Sequence, residues 1–177
     1  MKDALLDLIP EIDSIADVGL RDLVLTVWAE ALKRGGWTPA DLREMPFTLL
    51  IKKTPINIID HTRAVTRTAR EIGEVLRGAY GGRVKVEADI LLAGAILHDV
   101  GKLFEYTRDK DGFKKSREGH LLRHPISGAA FAFKHGLPQE VVHIIAAHSK
   151  EGDGTRRTVE AVIVNHADFV NFDIFHE

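Results

Sequence analysis

The chain has 177 residues, enough to bury a core as one domain, or as one domain with a helical annex. It holds no cysteine, which excludes disulfide frameworks, thiolate zinc sites and cysteine nucleophiles, and suits a reducing cytoplasm. The net charge of −2 argues against a broad basic face for duplex nucleic acid, so an anionic substrate has to be met by a local patch.

The N-terminal stretch MKDALLDLIPEID sets acids among its apolar residues and lacks the continuous apolar core of a signal peptide. No apolar run approaches the roughly 18 residues that span a bilayer, so a cytoplasmic location without membrane partners is expected. From there the apolar spacing is helical almost throughout. Leu20, Leu23, Val24, Val27, Trp28 and Ala31 recur at three- and four-residue intervals, and Gly35-Gly36 ends that helix. Pro39 and Asp41 introduce a short helix or turn. Asn57 to Leu76 reads as a long helix with Ile58, Val65, Ala69, Ile72 and Val75 mostly inward, broken by Gly78–Gly82. Val86–His98 is nearly all apolar, as the middle of a bundle requires. Phe104 to Gly119 is polar, with Asp111-Gly112 as the turn of a loop or small hairpin. Pro125–Lys134 and Pro138–His148 are two further helices, the second starting on its proline. After the polar KEGDGTRR loop, Thr158–Phe172 is the last. The reading is all-α: a helical annex over 1–50, packed on a five-helix core within 51–177.

The chemistry centres on His98-Asp99. Nine histidines and fourteen aspartates would supply about 0.7 His-Asp pairs by chance, so the dipeptide alone says little. Its context says more, because an imidazole and a carboxylate leave a buried apolar helix together, and a buried charge needs a partner or a metal. Further ligand types occupy helical positions elsewhere. His61 is in register with Val65 and Ala69, His124 stands at a helix start, His148 ends the helix VVHIIAAH, and Asp168 lies in the apolar VIVNHADFV. Such a mixed nitrogen and oxygen set suits manganese or iron, with zinc, nickel, cobalt and magnesium also in play, and excludes a calcium preference. A lone histidine on an apolar helix is usually a core residue. His120, one turn before His124, is the one rival ligand, and His135, His143, His166 and His176 take that ordinary reading.

The ordered set His61, His98-Asp99, His124, His148, Asp168 resembles the HD-domain superfamily, in its phosphodiesterase-like branch with two extra histidines. The strings TPINIIDHTRAV and AILHDVGK are similar to that family's first-histidine helix and signature, and LLRHPISGA resembles the HD domains of bacterial 3′→5′ exoribonucleases. The resemblance covers about residues 54–172 and implies an HD-domain helical bundle beneath the annex. It further implies that His61, His98, Asp99 and Asp168 bind one divalent metal ion. Asp99 then bridges to a second ion held by His124 and His148. Asp99 and Lys102 become the catalytic pair, Lys102 stabilising phosphate charge or protonating the leaving group. Many two-metal members have a His-His pair where this chain has His148-Ser149.

Between residues 102 and 123, seven basic side chains face four acidic ones, a local charge of +3 in a chain of −2. Lys102, Lys114, Lys115, Arg117 and Arg123 are the expected substrate-binding residues, with Arg156 and Arg157 adding to the rim. Phe104, Tyr106 and Phe113 are the only aromatic candidates there. Arg63, Arg67 and Arg70 read as surface residues, and Trp28 and Trp37 as packing in the annex. The expected activity is metal-dependent hydrolysis of a small phosphomonoester or phosphodiester, of a nucleotide or short oligonucleotide. An HD-fold di-iron oxygenase is the alternative, and a non-catalytic nucleotide sensor the third reading. The annex could also serve a homo-oligomer contact.

Overall fold

The computed structural model describes residues 1–52 and 54–175, so His176 lies outside the described residues. The chain opens with α1 (Lys2–Leu8), a 3-10 turn at Pro10–Ser14 and α2 (Val18–Gly35). The Asp17 carboxylate accepts the Leu20 amide at 2.9 Å to start α2, and Gly36 ends it in the left-handed region at φ 73°. A second 3-10 turn (Asp41–Arg43) takes the place expected for Pro39 and Asp41.

The long helix is α3 (Ile58–Tyr80), capped by the Asn57 side chain on the amides of Ile59 and Asp60. It runs through Gly78 and stops only at Gly81. Val75 is not inward, as the spacing had suggested, but 66% exposed. It lies six residues on from buried Ala69, roughly 240° around the helix, and Gly73 and Leu76 take the inner side instead.

Helix α4 (Ala88–Leu97) is the centre of the bundle, buried from Leu91 to Leu97. It packs against α2, α3, α8 (Gln139–Ala147) and α9 (Val159–Asp173), and its two sides feed two apolar clusters. One joins Leu92 and Ile96 to Leu5, Ile12, Val24 and Trp28 of the N-terminal helices. The other joins Leu91 and Ala95 to Val65, Ile144, Ile163 and Val164.

Between α4 and α8 the chain makes a short α5 (Lys102–Glu105), an antiparallel hairpin of β1 (Tyr106–Asp109) and β2 (Gly112–Lys115), then α6 (Arg117–Leu121) and α7 (His124–Lys134). The hairpin alternative for the polar segment is the observed one, with α5 and α6 as additional single turns.

The N-terminal 50 residues are tied to the bundle by polar links that the sequence did not reveal. Glu11, buried at 7% exposure, accepts from half-buried Arg63 Nε at 3.1 Å and from exposed Arg67 Nε at 2.6 Å, so these two arginines tie the long helix to the N-terminal segment. Arg70 pairs with its exposed neighbour Glu71. The Asp89 carboxylate receives the amides of Ala16 and Asp17 at 2.9 and 2.8 Å. Trp37 donates its indole N–H to the Leu103 carbonyl at 2.9 Å, while Trp28 is wholly buried.

Candidate metal centre

Helix ends bring the ligand candidates together. His61 sits in the first turn of α3, directly behind the Asn57 cap, and is 2% exposed. His98 and Asp99 leave the C-terminal end of α4, and His148 leaves the C-terminal end of α8. His124 opens α7, and Asp168 lies on α9. Two glycines permit the approach. A Cβ on Gly94 would lie 2.5 Å from Ile144, where α4 meets α8, and a Cβ on Gly101 would lie 2.1 Å from the His124 carbonyl oxygen. Gly101 therefore lets the start of α7 rest on the turn that carries Asp99.

Asp99, 1% exposed, divides its two oxygens between two histidine pairs. Its Oδ2 lies 3.5 Å from His61 Nε2 and 3.3 Å from His98 Nε2. Its Oδ1 lies 3.3 Å from His124 Nε2 and 3.7 Å from His148 Nε2. Asp168 closes the first side, with Oδ1 3.0 Å from His61 Nε2 and 3.8 Å from His98 Nε2. The sets His61, His98, Asp99 and Asp99, His124, His148 each offer ligand atoms within 4.8 Å of one another.

These donors fit a cation. A carbonyl only accepts, so the Nδ1 atoms of His98 and His148 must donate to Ala95 O at 2.6 Å and Ile145 O at 2.8 Å. That fixes the tautomer of each neutral ring and turns each Nε2 toward Asp99. His148 Nε2 is buried with no hydrogen-bond partner among the described residues, a costly state for a polar atom unless an ion meets it. Burial, then the neighbouring His98, pushes the His148 imidazole down to about 3, so it is a neutral donor. Burial also lowers His61, outweighing the pull of Asp168 and Asp99. Burial opposes ionisation of Asp99 as well, but Lys102 and His98 overcome it and hold the carboxyl well below its ordinary value. Asp168 is lowered likewise, its hydrogen bond with His61 and the charge of His98 outweighing burial. Against burial, Asp99 lifts His98 above its ordinary value, so the pocket's field favours positive charge beside Asp99.

The centre opens on a cleft of about 370 Å³, with an apolar wall that includes Phe47, Leu50 and Phe172. Lys102 is buried at its edge, donating to Asp99 Oδ2 at 2.6 Å and to the Phe47 carbonyl at 2.5 Å. Burial disfavours its charge, yet Asp99 raises the ammonium above its ordinary value.

Of the other expected substrate-binding residues, Lys115 and Arg123 line the cleft, whereas Lys114 and Arg117 do not. Lys114 pairs with Asp109 in the hairpin, and Arg117 is exposed at the start of α6. Arg157 is taken up by the Ala147 and Ser149 carbonyls and by Asp153. His120 is exposed, away from the ligand set. Among the aromatic candidates, Tyr106 lines the cleft, while Phe104 packs on Phe131 and Phe113 on Trp37. Sequence reasoning missed Glu105, Lys150, Glu151 and the apolar wall, none of which falls in a pattern that marks it.

The HD domain profile matches residues 58–171. This chain belongs to the HD domain family. It is 38% identical over 112 residues to the dihydroneopterin 2′,3′-cyclic phosphate phosphodiesterase of Methanocaldococcus jannaschii, a match covering 63% of this chain and 44% of that one. It is 31% identical over 96 residues to ribonuclease Y of Acidothermus cellulolyticus, covering 54% of this chain and 17% of that one. Ribonuclease Y of Cutibacterium acnes is 28% identical over 155 residues, 86% of this chain and 25% of its own. The chain thus spans less than half the length of the curated relatives it matches. No solved structure matches it. Among the described residues of this HD domain, no helix is long and apolar enough to cross a membrane.

Proposed function

We propose that this HD domain is a metal-dependent phosphohydrolase that cleaves a phosphodiester or phosphomonoester in a small substrate of nucleotide or short-oligonucleotide character. The observation that carries the reading is the division of Asp99, one oxygen toward His61 and His98 and the other toward His124 and His148. His61, His98, Asp99 and Asp168 would hold one divalent ion, and Asp99, His124 and His148 a second. The donors suit manganese or iron first. Such ions supply Lewis acidity at phosphoryl oxygens and a water acidic enough to attack at neutral pH.

The chain's own residues do the rest. Two of the three Lys102 ammonium hydrogens are engaged by Asp99 and the Phe47 carbonyl, which leaves one for the cleft. Through that hydrogen Lys102 would stabilise anionic charge on the phosphoryl group or protonate the leaving oxygen. Arg123 and Lys115 stand on the rim, interleaved with Glu105 and Glu151. A rim so balanced in charge is a poor track for a long polyanion, which favours a small substrate. The cleft volume of about 370 Å³ lies within the roughly 300–1,000 Å³ typical of small-ligand pockets. Its apolar wall suits a flat ring beside the phosphate. By name, the relatives act on a 2′,3′-cyclic phosphate or on RNA, and both kinds of substrate are phosphodiesters.

The test is hydrolysis of 2′,3′-cyclic nucleotides, bis-p-nitrophenyl phosphate and a short RNA with manganese. Turnover should vanish with a chelator and in Asp99→Asn. Turnover that survives both would refute the reading. Oxygen consumption by the iron-loaded protein without phosphoester cleavage would establish the oxygenase instead, and nucleotide binding without turnover the sensor.

A further inference from the structure

We infer that Glu105 is the positioning residue for His124, and so for the second of the two ion positions proposed above, on which this inference rests. Glu105 is 2% exposed at the end of α5, and the four contacts of its carboxylate account for it fully. Its Oε2 accepts the His124 backbone amide at 2.7 Å and the His124 Nδ1–H at 2.8 Å. Its Oε1 accepts Arg123 Nη1 at 2.6 Å and lies 3.8 Å from Lys115 Nζ. Gripping main chain and ring together fixes both the backbone and the plane of His124. The opposite ring nitrogen, Nε2, is then left 3.3 Å from Asp99 Oδ1.

Helix position explains why His124 needs such a support. His98 and His148 leave the C-terminal ends of α4 and α8, where each Nδ1 reaches the carbonyl three residues earlier, in Ala95 or Ile145. His124 opens α7, so no carbonyl of its own helix lies behind it. A carboxylate from elsewhere has to serve, and it also makes the imidazole a stronger electron donor. Ser149 belongs to the same support. Its hydroxyl donates to Glu151 Oε2 at 2.6 Å, Glu151 Oε1 accepts Arg123 Nε at 3.0 Å, and Arg123 leads back to Glu105. The position at which other two-metal members have a second histidine thus braces His124 here.

The experiment is a manganese titration of the full chain by equilibrium dialysis, with paramagnetic resonance to separate the two ions, on wild type, Glu105→Gln and Ser149→Ala. Glutamine keeps the shape and loses the charge, and melting of the metal-free forms checks that each variant folds. Wild type should take up two ions. In Glu105→Gln the first should bind as before and the second 10- to 100-fold more weakly, a range usual for losing an outer partner of a ligating histidine. Ser149→Ala should shift the second affinity in the same direction by less. A purely structural Glu105 would lower the melting temperature and leave both affinities intact, which overturns the inference. So does a wild type that takes up a single ion, and that result leaves the phosphohydrolase reading standing. A wild type that takes up no ion sinks the underlying reading itself.

Discussion

Replacing Gly101 by alanine tests how the centre is assembled, because this glycine carries no chemistry of its own. Its φ of −63° suits alanine, so backbone strain is not the issue. Space is. The added Cβ would sit 2.1 Å from the His124 carbonyl oxygen and 2.8 Å from both the His124 carbonyl carbon and the Gly128 amide nitrogen. All three are backbone atoms of α7, which cannot rotate aside, so the whole start of that helix must retreat by about 1 Å to restore van der Waals contact. Overpacking of this kind costs about 1–3 kcal/mol, against a gain of at most about 1 kcal/mol from giving up a glycine. At roughly 2–4 °C per kcal/mol for a chain of this size, a net cost of up to about 3 kcal/mol lowers melting by up to about 12 °C. The functional loss should exceed that, because the retreat carries His124 away from Asp99 Oδ1, now 3.3 Å distant, and away from Glu105. Gly78→Ala in α3 is the control, since nothing lies within 4 Å of its Cβ. It should leave metal uptake alone and raise stability by about 0.5–1 kcal/mol. Thermal melts and manganese stoichiometry on the two variants decide the matter. A Gly101→Ala protein with wild-type melting and full metal content would refute the packing argument.

Three further outcomes are expected. Lys102→Met should leave metal content near wild type and lower kcat by about 10²–10³-fold, as removal of a charge-stabilising donor does; a loss confined to KM would assign the lysine to ground-state binding alone. Glu151 is held at about 2, where burial opposes its ionisation but Ser149 and Arg123 outweigh it. Its folded pKa lies below the unfolded one, so its contribution is complete above about pH 5 and is lost as pH falls toward 2. After allowance for solvent screening that contribution is about 1 kcal/mol, and the stability gap between wild type and Glu151→Gln in urea should close across that window. Glu11→Ala should cost about 1–2 kcal/mol by leaving Arg63 and Arg67 without their shared carboxylate, with ion affinities unchanged; altered metal binding would mean that the annex sets the centre's geometry directly.

What the sequence disclosed and what it hid divide along physical lines. The helices were legible because apolar side chains repeat with the helical period, and the candidate ligand set because each member stands at a helix end or on an apolar stripe. Lys114 and Lys115 looked equivalent in the sequence, since a run of basic residues has no inside or outside until the hairpin register is known. In the fold Lys115 stands opposite Tyr106, and both line the cleft, whereas Lys114 stands opposite Thr107 and turns to Asp109. A shift of one residue reverses a strand's two faces, and no composition argument can find that shift. Glu105 was hidden for another reason. Its importance depends on a partner nineteen residues away that the hairpin and α6 fold back onto it. Phe47 was hidden for the same reason: it lies before the span matched by the family, yet its carbonyl holds the ammonium of Lys102. A support needs only to be buried and to meet its partner, and such residues carry no local pattern. The proposed ligands could be read from order and spacing, while the groups proposed to aim them became visible only when the chain was folded.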